Sequence, residues 1–146
     1  MADIKRKSEA VWEGRLRDGK GRISSGSGVL NDTAYSFVTR FEDKPGTNPE
    51  ELIAAAHAAC YSMALANTLD GKGYQPEQIE TQATCHLSSQ QGGGFKISKM
   101  HLVVRGRVPG IDLQLFQQIA HEADGKCPVS NLLREGLEIE VEASLI

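Results

Sequence analysis

Hydrophobic and polar positions alternate, or β-branched residues gather, in six stretches: Lys7–Leu16, Arg22–Ser25, Thr33–Phe41, Ile79–Ser88, Lys96–Val108 and Leu137–Leu145. A period of two places successive side chains on opposite faces of a sheet, so each stretch is read as a strand. Between the third and fourth the pattern changes. Asn48 is an N-cap residue type, Pro49 suits the first helical position, and Glu51 stands three residues after the cap, as a capping box requires. The helix that starts there runs through LIAAAHAACYSMALANTLDG and is expected to stop near Gly71 or Gly73, since glycine takes the left-handed backbone that ends helices. From Leu52 to Leu69 there is no Asp, Glu, Lys or Arg. A helix with no charged face is expected to be buried all round. His57, Tyr61, Ser62, Asn67, Thr68 and the many alanines make it weakly apolar for a membrane span.

A second helical region begins at Asp112, which can cap DLQLFQQIAHEA; Leu113, Phe116, Gln117 and Ala120 follow helical spacing, and Gly125 is the expected end. KCPVSNLLREG then restarts a helix, with Pro128 at its first position and Cys127 at its cap. The order β-β-β-α-β-β-α-α-β predicts an α+β fold in which a curved antiparallel sheet wraps a buried central helix. The glycine-rich pieces at 19–28 and 90–94 are short enough to be turns, and no linker or repeat interrupts the chain, so 1–146 is expected to form a single domain.

A net charge of −3 and a pI near 5.8 supply no basic field, which removes nucleic acid and anionic membrane from the expected partners. The opening MADIKRKSEAVWEG has basic residues without an apolar stretch behind them, so no secretory signal is read and a cytoplasmic location is expected. The three cysteines, Cys60, Cys85 and Cys127, are widely spaced with no CxxC pair, a pattern that fits neither a secreted disulfide framework nor a closed zinc site.

Cys127 is the thiol that local electrostatics favours, because the unpaired N–H groups at a helix N-terminus stabilise thiolate. Cys60 lies about 16 Å along its helix, beyond the reach of the terminal dipole. Taken alone it reads as a packing residue beside Ala56, Ala59, Met63 and Ala64. As a nucleophile it needs a cation: lowering its pKa from about 8.5 to about 6.5 takes roughly 2.7 kcal/mol of differential stabilisation. Cys85, His86 and His101 read as strand residues with no assigned role. His57 is read as a core or interface histidine, although with Cys60, His121 and Cys127 it also offers a zinc-like set.

The run TRFEDKPGTNPEELIAAAHAACYSMAL, the later KCPVSN and the intervening PGID resemble the OsmC/Ohr family of thiol-dependent peroxidases, and the resemblance spans the chain from VWEG at Val11 to the last strand. It implies an intertwined homodimer that reduces organic hydroperoxides, and hydrogen peroxide less efficiently, in oxidative or osmotic stress defence, with no metal or flavin cofactor. It also implies that Cys60 attacks the peroxide and Cys127 resolves it through a Cys60–Cys127 disulfide, reversing the order that electrostatics favours. The external dithiol implied is dihydrolipoamide or a lipoylated protein. An Arg paired with a Glu is implied beside the reactive sulfur; the TRF position is Arg40 and the first Glu of NPEEL is Glu50. The cap separates the two glutamates, since Glu51 is committed to the capping box and Glu50 is free. For Arg40 the bland alternative is a solvated strand end, and Arg15, Arg17 and Arg22 remain rivals because the Ohr branch takes its Arg from a more N-terminal strand. Two other readings stay open: a non-enzymatic dimeric stress protein with packed cysteines, and a His/Cys metal-binding module.

Glu50 and Cys60 are ten residues apart, or about 15 Å along a straight helix, too far for one Arg to bridge comfortably. An antiparallel pair of such helices about a two-fold axis, with position 50 opposite position 60, crosses at position 55 in Ala54-Ala55-Ala56, where small side chains allow close approach. The expected site is therefore shared, with Cys60 and Cys127 from one subunit and Arg40 and Glu50 from the other.

Overall fold

A computed structural model of the protein describes residues 3–145. The backbone falls into two compact units, Met1–Leu52 and Ile53–Ile146.

The first unit carries an antiparallel sheet of β1 (Ser8–Glu13), β2 (Lys20–Ser25) and β3 (Thr33–Tyr35), in the order β1-β2-β3. Gly21 is in register with Trp12 on one side and Tyr35 on the other, and the two rings stand 5.5 Å apart over it. The strand expected through Phe41 stops at Tyr35. Ser36 breaks it: its backbone is extended at φ −157°, its hydroxyl accepts from the Thr39 N–H, and the Thr39 hydroxyl accepts from the Ser36 N–H. This reciprocal capping box starts a short helix, α1 (Phe37–Phe41). The long helix α2 (Pro49–Gly71) then begins as expected, with the Asn48 side chain accepting from the Glu51 N–H at 2.8 Å.

In the second unit, the rest of α2 is followed by β4 (Gln78–Ser89), β5 (Phe95–Arg107), α3 (Leu113–Lys126), α4 (Pro128–Leu133) and β6 (Glu138–Leu145). The strands form a sheet in the order β4-β5-β6, antiparallel between β4 and β5 and parallel between β5 and β6. The described strands thus make two three-stranded sheets, one of them mixed, where sequence pattern predicted one antiparallel sheet. The parallel pair follows from connectivity, because a parallel partner needs a crossover and α3 and α4 supply it. The Gly125 stop is also displaced: α3 runs through Lys126, and Cys127 closes α3 and caps α4.

The core joins Tyr61, Leu65 and Leu69 of α2 to Leu102 and Val104 of β5 and to Phe116, Ile119, Ala120 and Ala123 of α3. Each large side chain contributes about 1.5–3 kcal/mol on removal from water. A Cβ on Gly106 would lie 2.7 Å from the Phe116 ring, so glycine is what lets α3 seat on β5 at that point. The Tyr61 hydroxyl donates to the Ala120 carbonyl at 2.7 Å and ties α2 to α3.

The expectation that α2 is buried all round does not hold within one chain. Its core face is His57, Tyr61, Leu65, Thr68 and Leu69, whereas Ala55, Ala59 and Met63 are exposed, Met63 to 74%. Absence of charge thus marked a helix whose outer face, at Ala55, Ala59 and Met63, is exposed among the described residues. By length and a mean hydropathy of 1.3 this helix passes as a membrane span, but its inner face is committed to its own sheet and to α3.

Candidate active site

Two groups of sequence-predicted residues come together, one in each unit. In the first, Arg40 occupies the last turn of α1. Asn48, besides capping α2, donates from its side-chain amide to the Thr39 carbonyl at 3.2 Å, and the Thr39 hydroxyl donates to the Thr47 carbonyl at 2.9 Å. The loop between the helices passes Thr39 so closely that a Cβ on Gly46 would lie 2.8 Å from the Thr39 methyl. These contacts lock the end of α1 against the start of α2. Arg40 consequently meets Glu50: Nε donates to Oε1 and Oε2 at 3.1 and 3.3 Å, and Nη2 donates to Oε1 at 2.8 Å. Glu50 is 8% exposed and Arg40 is partly open to solvent, so one face of the guanidinium stays available while the carboxylate holds the other.

Arg40 also forms part of the wall of a cavity of about 240 Å³ lined by Trp12, Leu16, Tyr35, Phe37 and Phe41. The Phe37 and Phe41 rings stand 4.9 Å apart, and the Arg40 guanidinium lies 5.1 Å from the Phe41 ring centre. The rival arginines have other partners: Arg15 pairs with Asp18, Arg22 with Glu13 at 3.4 Å, and Arg17 lies over the Phe37 ring.

In the second unit Cys60 and Cys127 meet as thiols within hydrogen-bonding reach. Cys127 is fully buried, and its sulfur accepts from the Ser130 N–H at 3.5 Å as the cap of α4. Cys60 is half-buried and accepts from the Val129 N–H in the same turn. Burial pushes the Cys60 thiol above its ordinary range, the Cys127 thiol adds to that rise, and the Val129 N–H opposes it. The groups that set the acidity of Cys60 in this unit include no cation.

His57, read as a core or interface histidine, is fully buried on α2 three residues before Cys60. Its Nε2 lies 2.7 Å from the Ser130 hydroxyl, while its Nδ1 has no hydrogen-bond partner among the described residues. Burial lowers its pKa, with Asp124 opposing and Arg134 reinforcing the shift. Ser130 was missed by sequence reasoning; its place three residues after Cys127 in CPVS was the available signal. Cys85 sits half-buried in β4, in register with Met100. Among the described residues no group of three or more His, Cys, Asp or Glu is disposed to hold a metal ion, so the set His57, Cys60, His121 and Cys127 is not assembled.

A family model described as OsmC-like protein matches residues 41–142. The chain is also 46% identical over 139 residues to Peroxiredoxin OsmC of Escherichia coli (strain K12), covering 95% of this chain and 96% of that protein. The chain belongs to the OsmC-like protein family. Organic hydroperoxide resistance protein OhrB of Bacillus subtilis (strain 168) is 32% identical to this OsmC-like chain over 84% of it and 88% of that protein. A crystal structure of OhrB of Bacillus subtilis superimposes with a TM-score of 0.74 at 27% identity, covering 94% of this chain and 97% of that one. The α+β architecture is thus that of OsmC and Ohr structures, and the match from 41 to 142 takes in Glu50, Cys60 and Cys127 while starting one residue after Arg40.

Proposed function

We propose that this OsmC-like protein is a thiol-dependent peroxidase that reduces organic hydroperoxides, working as one family-type unit over 1–146. The observation that carries the reading is the meeting of Cys60 and Cys127, thiols far apart in sequence, beside the helix turn that caps on Cys127. The names of the relatives, a peroxiredoxin and an organic hydroperoxide resistance protein, agree with that chemistry.

In the first step the Cys60 thiolate attacks the terminal oxygen of ROOH. The O–O bond breaks, the alkoxide leaves and takes up the proton that the Cys60 thiol released on ionising, so that ROH departs and Cys60 becomes a sulfenic acid, oxidised by two electrons. In the second, the Cys127 sulfur attacks the Cys60 sulfur; the S–O bond breaks, and the hydroxyl leaves as water with the Cys127 proton. An external dithiol, of the dihydrolipoamide type, then exchanges with the disulfide and restores both thiols. Arg40, oriented by Glu50, supplies the positive charge that holds Cys60 as thiolate and orients the peroxide. The aromatic cavity at Arg40 suits an alkyl or aryl group better than the bare hydroxyl of hydrogen peroxide. A cytoplasmic location fits, since thiols stay reduced there.

Cys60 finds no cation among the groups that set its acidity in its own unit, and α2 leaves Ala55, Ala59 and Met63 uncovered. Both features support a homodimer in which Arg40 and Glu50 of one subunit serve Cys60 and Cys127 of the other. The test is a peroxidase assay with tert-butyl hydroperoxide and dihydrolipoamide. Wild type is expected to turn over and Cys60→Ser to be inactive; wild type without turnover, or an active Cys60→Ser, overturns the reading.

A further inference from the structure

The buried histidine takes no part in the two steps above, yet it sits where the second is set up. On α2, His57 and Cys60 are three residues apart; on the capped turn of α4, Cys127 and Ser130 are also three apart. The two pairs face each other in register: Cys60 meets Cys127, and His57 Nε2 meets Ser130 Oγ at 2.7 Å. Ser130 is fully buried, and its N–H is the donor that holds the Cys127 sulfur. Other contacts secure α4 to α3, namely Asn131 Nδ2 donating to the Gly125 carbonyl at 3.0 Å and Arg134 pairing with Asp124 at 3.0 Å. They do not set the distance from α4 to α2, which rests on the Val129 N–H at Cys60 and on the His57–Ser130 contact one turn away.

The ring's own chemistry fits a fixed strut. A buried N–H left without an acceptor is less tolerable than a buried lone pair left without a donor, so the bare Nδ1 is the lone-pair nitrogen and Nε2–H donates to Ser130. Burial keeps the ring neutral near pH 7, Asp124 and Arg134 being the charges that act on it in opposite senses.

We propose that His57 is a positioning residue for disulfide closure: through Ser130 it clamps the Cys127 turn against α2 and so sets the approach of the Cys127 sulfur to Cys60. The proposal rests on the peroxidase reading for the identity of the oxidant, but the clamp acts on the two thiols whatever oxidises Cys60. In the step it governs, the Cys127 sulfur bonds to the Cys60 sulfur, the Cys60 S–O bond breaks, and the oxygen departs as water carrying the Cys127 proton.

The experiment uses the full chain as wild type, His57→Leu, His57→Gln, Ser130→Ala and the double variant His57→Leu/Ser130→Ala. One equivalent of tert-butyl hydroperoxide is mixed rapidly, and acid-quenched samples are followed for peroxide loss, for dimedone-trapped sulfenic acid and for the Cys60–Cys127 disulfide. Peroxide loss in the first turnover is expected to be unchanged in His57→Leu and Ser130→Ala. Disulfide closure is expected to slow at least about tenfold in both, with trapped sulfenic acid accumulating, since a small displacement of reacting atoms has effects of this size. His57→Gln, which keeps a donor, should recover part of the rate, and the double variant should be no slower than either single one, because both remove the same contact. Unchanged closure in folded His57→Leu and Ser130→Ala, or slowing that multiplies in the double variant, overturns the proposal. If His57→Leu does not fold, Ser130→Ala against wild type decides it alone. A glutathione redox buffer without peroxide supplies a second arm: the effective concentration of Cys127 toward Cys60 should fall at least about tenfold in the clamp variants. A wild type that forms the disulfide in that buffer but ignores peroxide sinks the peroxidase reading and leaves the glutathione arm to decide the clamp.

Discussion

Cys60 and Cys127 are the same functional group in different surroundings, and their variants should differ accordingly. Cys127→Ser is expected to reduce one equivalent of peroxide and stop, accumulating oxidised Cys60, while Cys60→Ser loses the first turnover; peroxide consumption at substoichiometric and excess oxidant separates them. His57 carries a prediction in pH. Burial depresses its folded pKa below the ordinary value of 6.5, so the folded state binds fewer protons than the unfolded state as pH falls through that value. The penalty is absent above about pH 6.5 and grows below it. Denaturant unfolding at pH 7.5 and 5.5 should therefore show a larger loss of stability for wild type than for His57→Gln; equal losses would contradict the buried neutral ring. The Arg40–Glu50 contact was legible through the family resemblance, which implied an Arg–Glu pair, while the Asn48 cap served only to choose Glu50 over Glu51; the cap that forms uses the Glu51 backbone N–H. The His57–Ser130 contact was not, since no local pattern in either motif tells which residue 73 positions away completes it.

Among the elements, α1 shows how a short helix hides in a strand pattern. Phe37, Val38 and Phe41 are compatible with either period, and the deciding information was the Ser36/Thr39 capping box, which is readable in sequence only when Ser-x-x-Thr is weighed as a cap. Ser36→Ala should loosen α1, lowering stability by about 1 kcal/mol, and Asn48→Ala should have at least that effect because it removes both the α2 cap and the tie to Thr39. Both should raise KM for organic hydroperoxides through Arg40; thermal unfolding and peroxidase kinetics check the pair, and an Asn48→Ala protein as stable and active as wild type would contradict the locking role. The parallel pairing of β5 with β6 escaped a reading based on alternation, which is blind to strand direction. The two helices between those strands were the readable cue, since parallel neighbours require such a crossover.

For the molecule as a whole, the exposed Ala55, Ala59 and Met63 stripe and the Cys60 thiol without a cation in its own unit are the two features on which the proposed two-subunit site rests. The charge-free run of α2 was visible in sequence, but whether its outer face meets the same chain or another was not, because composition records the need for a partner and not its source. Mixing Cys60→Ser with Arg40→Ala under subunit exchange should restore activity, as one of the two sites in each heterodimer is then intact; no recovery despite confirmed exchange contradicts the shared site. Oxidation should also stiffen the chain, since closing the long loop between Cys60 and Cys127 adds about 4 kcal/mol in the chain-entropy model. Everything proposed for the site turns on the pairing of those two sulfurs by peroxide, which disulfide mapping by mass spectrometry after one equivalent of tert-butyl hydroperoxide reads out. An intrachain Cys60–Cys127 bridge is expected to form in step with peroxide loss; a bridge containing Cys85, or peroxide loss with Cys60 left unmodified, would contradict the proposed chemistry.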